Sequence, residues 1–442
     1  LKVPGTDFTI EDIRGTFPEE LKIPPLERPV DATIRVPGSK SVTNRALLIA
    51  ALATGTSTVR NALMSDDSYW LMDALRRLGF DVRAEPASGT VRVEGRAGEI
   101  PAPTAELYVG NAGTVARFLP PALSLGAGPY RVDGTPRMRE RPMEDLIDAL
   151  RRLGTRVECT SKPGHFPIVI RGGTLHGGRI AISGAKSSQF LSGLLISAPY
   201  AAAPLSIEAT GELVSKPYVD ITLEVMRAFG VEVEASPDSR IFHISPARYT
   251  PQDYPVEPDA SAASYFFAAA ALTGGRVRVP GLGRHSAQGD LRFLEVLHRM
   301  GCKIKINDNH IEVRGPHTLR GVEVDMNAFS DTMMTLAAIA PFATEPTTIR
   351  NVEHTRHQET DRLSAVATEL SRLGVRVRET RDSLRIIPPK RVRPAIVETY
   401  DDHRMAMAFA LVGLKVPGVC IRDPGCVTKT FPGYFRRLGE LR

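Results

Sequence analysis

The chain is poor in several things. It has four cysteines in 442 residues, Cys159, Cys302, Cys420 and Cys426, and no CxxC spacing among them. That argues against a disulfide framework or a cysteine zinc site and predicts reduced thiols in a cytoplasmic protein. It has one tryptophan and no Lys/Arg-rich block, so the cations behind its net charge of +6 are spread out. Spread cations without an aromatic stripe speak against nucleic acid and favour small anions. No apolar run reaches the ~20 residues of a membrane helix, so no membrane partner is expected. The N-terminus shows no charged-then-apolar leader. No clustered metal-ligand set appears; neither metal nor cofactor is expected. The first 33 or so residues, rich in proline and charge, are expected to pack as a partly extended arm.

What is present is repetition. An amphipathic helix, a Leu-Gly stop and an alternating strand recur, as in Leu71–Gly79 and again in Leu146–Gly154. Further stops fall at Gly230, Gly301 and Gly374, with a truncated copy at Gly439. A glycine just past a helix is the left-handed stop, and alternation after it marks a strand with one buried face. A second, mostly apolar helix recurs at a similar interval, starting near Arg45, Arg117, Phe190, Ser264, Thr332 and Arg404. Apolar on all sides, it is expected to be buried. Six units near 70 residues long predict an α/β protein of two three-unit halves, helices inside and sheets outside. The seam is expected near Pro255-Val-Glu-Pro258.

The buried-helix starts carry polar chemistry. They read Gly38-Ser-Lys-Ser41, Gly110-Asn-Ala-Gly113, Gly184-Ala-Lys-Ser-Ser-Gln189, Phe329-Ser-Asp331 and Asp401-Asp-His-Arg404. The sixth, Asp259-Ala-Ser, looks like a plain cap. A helix N-terminus attracts anions, and a cation placed there opposes the dipole unless an anion is held. The starts are therefore expected to converge on one anion site in a cleft between the halves. Two loops join them: Thr135-Pro-Arg-Met-Arg-Glu-Arg-Pro142, with three alternating arginines, and His354–Arg362.

These motifs, with Ser215-Lys-Pro-Tyr218, Glu359-Thr-Asp-Arg362 and Lys429-Thr-Phe-Pro, span most of the chain. Together they resemble the 5-enolpyruvylshikimate-3-phosphate synthase family of enolpyruvyl transferases. The resemblance implies a two-domain inside-out α/β barrel of three βαβαββ units per domain, over residues 38–257 and over 1–37 plus 258–442. It implies a monomer that moves enolpyruvyl from phosphoenolpyruvate to the 5-hydroxyl of shikimate 3-phosphate. The acceptor would meet Lys40, Ser41, Arg45, Ser187, Ser188, Gln189, Ser215, Tyr218, Asp331, His354 and Gln358. Phosphoenolpyruvate would meet Lys40, Asn111, Gly113, Arg137, Gln189, Arg362, Arg404 and Lys429, with Arg117 in support. Asp331 would be the base for the hydroxyl and Glu359 the proton donor to carbon, assisted by Lys40, His403 and Lys429.

Three positions depart from the enteric and plant pattern: Gln358 for Lys, His354 for Asn and Phe118 for Pro. Arg356 is expected to compensate for the first two. Phe118 is expected to weaken glyphosate, the family's inhibitor at the phosphoenolpyruvate site. The sister transferase acting on UDP-N-acetylglucosamine typically carries a reactive Cys in the 135–142 loop; here there is none.

Overall fold

A computed structural model describes residues 9–442. They form two compact units, one of residues 9–13 and 38–256, the other of residues 14–37 and 257–442. The sequence expectation put all of 1–37 with the second half. Residues 9–13 differ, and Ile10 in the short helix Ile10–Arg14 is buried. Residues 1–8 of the expected arm lie outside the described residues.

Among the described residues there are six sheets, three per unit. Each is built around the strand that follows a buried helix: Thr56–Arg60, Tyr130–Asp133, Leu205–Thr210, Arg276–Pro280, Thr347–Arg350 and Cys420–Arg422. That strand has a parallel neighbour on one side and an antiparallel one on the other. The burial pattern alternates along them, as in Tyr130–Asp133, so one face of each sheet packs inward.

Two sheets are completed by distant segments. Asp253–Pro255, at the end of the first unit, runs parallel to Thr58–Arg60 near its beginning. Asp31–Thr33 runs parallel to Arg276–Arg278. The N-terminal arm is partly extended, as expected: besides Asp31–Thr33 it supplies Glu20–Lys22, antiparallel to Cys420–Arg422. The sheets of the first unit thus all have four strands, while in the second unit the sheet of Cys420–Arg422 has three.

The buried helices are α1 (Lys40–Leu52), α2 (Gly113–Leu123), α3 (Ser188–Ser197), α4 (Ala260–Thr273), α5 (Met333–Ile339) and α6 (His403–Gly413). Their small residues let backbones approach. A Cβ on Gly193 of α3 would lie 2.4 Å from the Arg117 carbonyl of α2. The amphipathic helices lie outside them and stop as expected at Gly79, Gly154, Gly230, Gly301 and Gly374, all at positive φ. Gly439 is different: it closes the helix Tyr434–Gly439 from within, so the last copy has no left-handed stop.

Candidate functional site

In the first unit the polar side chains gather at the N-terminal ends of α1, α2 and α3. Arg45, one turn into α1, is fully buried. Its Nε donates to Thr222 Oγ1 at 2.7 Å and its Nη1 to the Ser41 carbonyl at 2.8 Å. Its Nη2 reaches Ser192 Oγ of α3 and the Tyr218 carbonyl, and its Cζ sits 5.0 Å above the Phe118 ring. None of these partners is a carboxylate. Burial therefore pushes Arg45 down to about 9 from its usual 12.5, and it stays charged at neutral pH. Asn44 Nδ2 donates to Thr114 Oγ1 at 2.6 Å, which ties α1 to α2. Lys40 opens α1 with its Nζ 3.7 Å from Asp67. Ser187 caps α3, accepting from the Gln189 N–H, and Ser188 is buried beside it. Ser215 is buried in a left-handed conformation (φ 53°) and Tyr218 follows it.

In the second unit the centre is Arg362, equally buried but wholly surrounded by acids. Its Nε donates to Asp402 at 2.8 Å, its Nη1 to Asp331 at 3.1 Å and its Nη2 to Glu359 at 2.8 Å. Gln358 Oε1 also accepts from its Nη1. Burial works against the charge, but Asp402, Glu359 and Asp331 together outweigh it and raise the guanidinium above its ordinary range. Arg404 Nη2 donates to the other Asp331 oxygen at 2.6 Å, and its Nη1 meets Tyr265 Oη of α4 at 3.5 Å. Lys429 Nζ lies 3.7 Å from Glu359. Asp402 caps α6 through the Arg404 N–H. Three cations thus interlock with three carboxylates, and the acids answer the objection that cations at helix starts oppose the dipole. Asp290, buried and bonded by Ser261 Oγ at 2.9 Å, is pushed up to about 7 by burial and by the nearby Asp331 charge.

Several expected residues sit differently from one another. Of the loop arginines, Arg137 is partly exposed and pairs with Glu140 at 2.9 Å. Arg141 is the buried one, and a Cβ on Gly113 would meet its Nη2 at 2.9 Å. The motif held Arg141, but three arginines at alternate positions look alike until the loop folds. Asn111 lies just ahead of Gly113, at the start of α2. His403 is fully buried, with Nδ1 3.6 Å from Asp402. His354 donates to or accepts from Ser330 Oγ at 2.9 Å, and burial pushes it down to about 4, so it is neutral at pH 7. Arg356 does not stand in for the departed groups. It turns to Asp361 and Glu379, both at 2.8 Å. Arg117 packs against Met138 and its own helix. Asp402 and Asp290 were missed as site residues; the only sequence signal was the cap position of Asp402.

The family model for EPSP synthase (3-phosphoshikimate 1-carboxyvinyltransferase) matches residues 26–438. The 3-phosphoshikimate 1-carboxyvinyltransferase of Nostoc punctiforme is 52% identical over 423 residues, 96% of this chain and 99% of that protein. The enzyme of the same name from Serratia proteamaculans is 48% identical, over 93% of this chain and 96% of its own. Among solved structures, EPSP synthase from Acinetobacter baumannii aligns with a TM-score of 0.80 at 26% identity, covering 96% of this chain and 98% of that one. Six sheets around buried helices, helix starts lined with cations and a match along nearly the whole length lead to one assignment: the chain belongs to the EPSP synthase family of enolpyruvyl transferases.

Proposed function

We propose that this chain transfers the enolpyruvyl group of phosphoenolpyruvate to the 5-hydroxyl of shikimate 3-phosphate, releasing phosphate. The observation that carries the reading is the Asp331–Arg362–Glu359 cluster with Arg404 and Lys429. It sets anion-binding cations directly against two carboxylates suited to proton transfer.

The residues assigned to the acceptor are Lys40, Ser41, Arg45, Ser187, Ser188, Gln189, Ser215, Tyr218, Asp331, His354 and Gln358. For phosphoenolpyruvate, the groups are Lys40, Asn111, Gly113 and Gln189 with Arg362, Arg404 and Lys429. Arg137 joins this set: its guanidinium is partly exposed and held only by the surface acid Glu140, which an incoming anion can displace, while the buried Arg141 packs beside Gly113. An isolated charge pair at ~4 Å is worth on the order of 4 kcal/mol at an effective dielectric of about 20, before desolvation.

The chemistry follows from the pairing. Asp331 and Arg404 are bonded to each other, so an anionic oxygen that takes over Arg404 Nη2 releases Asp331 Oδ2. Asp331 then accepts the proton of the acceptor hydroxyl. Glu359, which takes up a proton once the bound anions draw Arg362 and Lys429 away from it, donates that proton to the methylene carbon of phosphoenolpyruvate, and the acceptor oxygen bonds to the carbon that bears the phosphate. Return of a proton from the new methyl group to Glu359, and departure of phosphate carrying the proton held by Asp331, restore the double bond and both carboxyl groups. Lys429 beside Glu359 and the buried His403 assist these transfers. The four free thiols suit a reducing, cytoplasmic setting.

The test is phosphate release from phosphoenolpyruvate with shikimate 3-phosphate, with UDP-N-acetylglucosamine as the control acceptor. Release with the shikimate ester alone is expected. Release only with the nucleotide sugar, or with neither acceptor, overturns the reading.

A further inference from the structure

Ahead of α6 the chain makes a turn over Thr399, Tyr400, Asp401 and Asp402, closed by the Asp402 N–H on the Thr399 carbonyl at 2.9 Å. Its two central residues are both left-handed, Tyr400 at φ 56° and Asp401 at φ 53°. Turns of this kind are the province of Asn-Gly and Gly-Gly; a tyrosine there is a poor local choice. The matching turn ahead of α2 is closed by the Ala112 N–H on the Val109 carbonyl at 3.0 Å. Its first central residue is Gly110, also left-handed at φ 55°. The two turns differ at the second central position, where Asn111 is not left-handed and Asp401 is, but at the first position one unit uses glycine and the other a large side chain whose φ is unfavourable. Something beyond the turn must hold Tyr400.

That something is Glu369. It lies on the outer helix Arg362–Arg372 and is completely buried. Tyr400 Oη donates to its Oε1 at 2.7 Å, and the Glu398 N–H donates to its Oε2 at 3.1 Å. Arg372 Nη1 stands 3.6 Å from Oε1. Burial and the Glu369 charge push the tyrosine hydroxyl up to about 12, so it remains the donor. Glu369 comes seven residues after Arg362, two helical turns, so the two side chains leave the same face of one helix. That face grips the turn twice: Arg362 holds Asp402, and Glu369 holds the residues on either side of Thr399. Asp402 in turn caps α6 at Arg404.

We propose that Glu369 and Tyr400 are positioning residues for Arg404. They fasten an intrinsically unfavourable turn to the helix that carries Arg362 and so set the guanidinium of Arg404 in register for phosphoenolpyruvate. The ligand assignment rests on the functional reading above; the tether itself does not.

The test compares Tyr400→Phe with Tyr400→Asn in the full chain. Phenylalanine keeps the ring but loses the tether and still dislikes φ > 0. Asparagine removes the ring but tolerates the left-handed region. Tyr400 is 40% exposed, so truncation leaves little cavity. The Phe variant is expected to raise KM for phosphoenolpyruvate about tenfold, the Asn variant about threefold, and both to leave KM for shikimate 3-phosphate within about twofold. Backbone amide exchange over residues 397–406 is expected to speed up in the Phe variant and less in the Asn variant. An ordinary packing role predicts the reverse order, since Asn removes more. Exchange in Tyr400→Phe equal to that of the parent, or a larger loss in Tyr400→Asn, overturns the proposal. Faster exchange in Tyr400→Phe, with a parent protein that binds no phosphoenolpyruvate, would retain the tether and overturn only the assignment of its ligand.

Discussion

The two most deeply buried arginines among the described residues, Arg45 one turn into the inner helix α1 and Arg362 at the start of the outer helix Arg362–Arg372, live in opposite surroundings. Arg45 in the first unit touches hydroxyls, carbonyls and a phenyl ring; Arg362 in the second touches three carboxylates. Burial lowers the one to about 9, while the acids hold the other above its usual range. The difference teaches a division of labour. The first unit offers fixed donors and a cation that no protein acid neutralises. The second offers cations already neutralised by acids, which an incoming anion must displace and thereby set free for proton transfer.

The sharpest way to break this comparison is to delete both cations. Arg362→Met takes the guanidinium from the buried Asp402 and leaves Asp331 and Glu359 with only Arg404 and Lys429, and is expected to cost about 3–5 kcal/mol of unfolding free energy. Arg45→Met strands only neutral acceptors and should cost about 1–3 kcal/mol. Equal losses in urea titrations would mean that the acids contribute nothing distinctive.

Turnover separates the units next. Asp331→Asn and Glu359→Gln are each expected to slow phosphate release by about 10²–10⁴. Asp67→Asn, which alters the acid beside Lys40, should cost less than about tenfold. Full turnover in Glu359→Gln would remove it from the proton-transfer role.

A pH comparison follows. His354 is held near 4, below its usual 6.5, so the folded protein binds fewer protons than the unfolded chain between these values. Stability contributed by the neutral ring is therefore complete above pH 6.5 and declines as pH falls towards 4, by about 3 kcal/mol in all. His354→Asn should flatten that decline relative to the parent; parallel curves would contradict it.

The smaller effects lie in the first unit. Arg137→Ala is expected to raise KM for phosphoenolpyruvate about 10–50-fold. An unchanged KM in Arg137→Ala would remove it from the phosphoenolpyruvate set. Gly113→Ala, whose Cβ presses Arg141 at 2.9 Å, should raise the same KM a few-fold, about three.

Legibility in the sequence followed locality. The Leu-Gly stops were readable because helix propensity and a left-handed glycine act over a few residues, and five of the six adopt the expected φ. The Asp259 cap was readable for the same reason; its side chain accepts from the Ala262 N–H. The completing strands were not: Asp31–Thr33 and Asp253–Pro255 find their partners across some two hundred residues, and nothing local announces such pairing. Arg356 looked available in sequence because its partner Glu379 lies on a later strand.

By itself, then, the sequence determined the repeat, the buried and exposed helix faces and the polar helix starts, since each is set by spacing along the chain. Which arginine of three turns inward, which acids surround Arg362 and why a tyrosine holds a glycine's turn were decided only in the tertiary structure. Those outcomes depend on burial, and burial is a property of segments brought together from far apart.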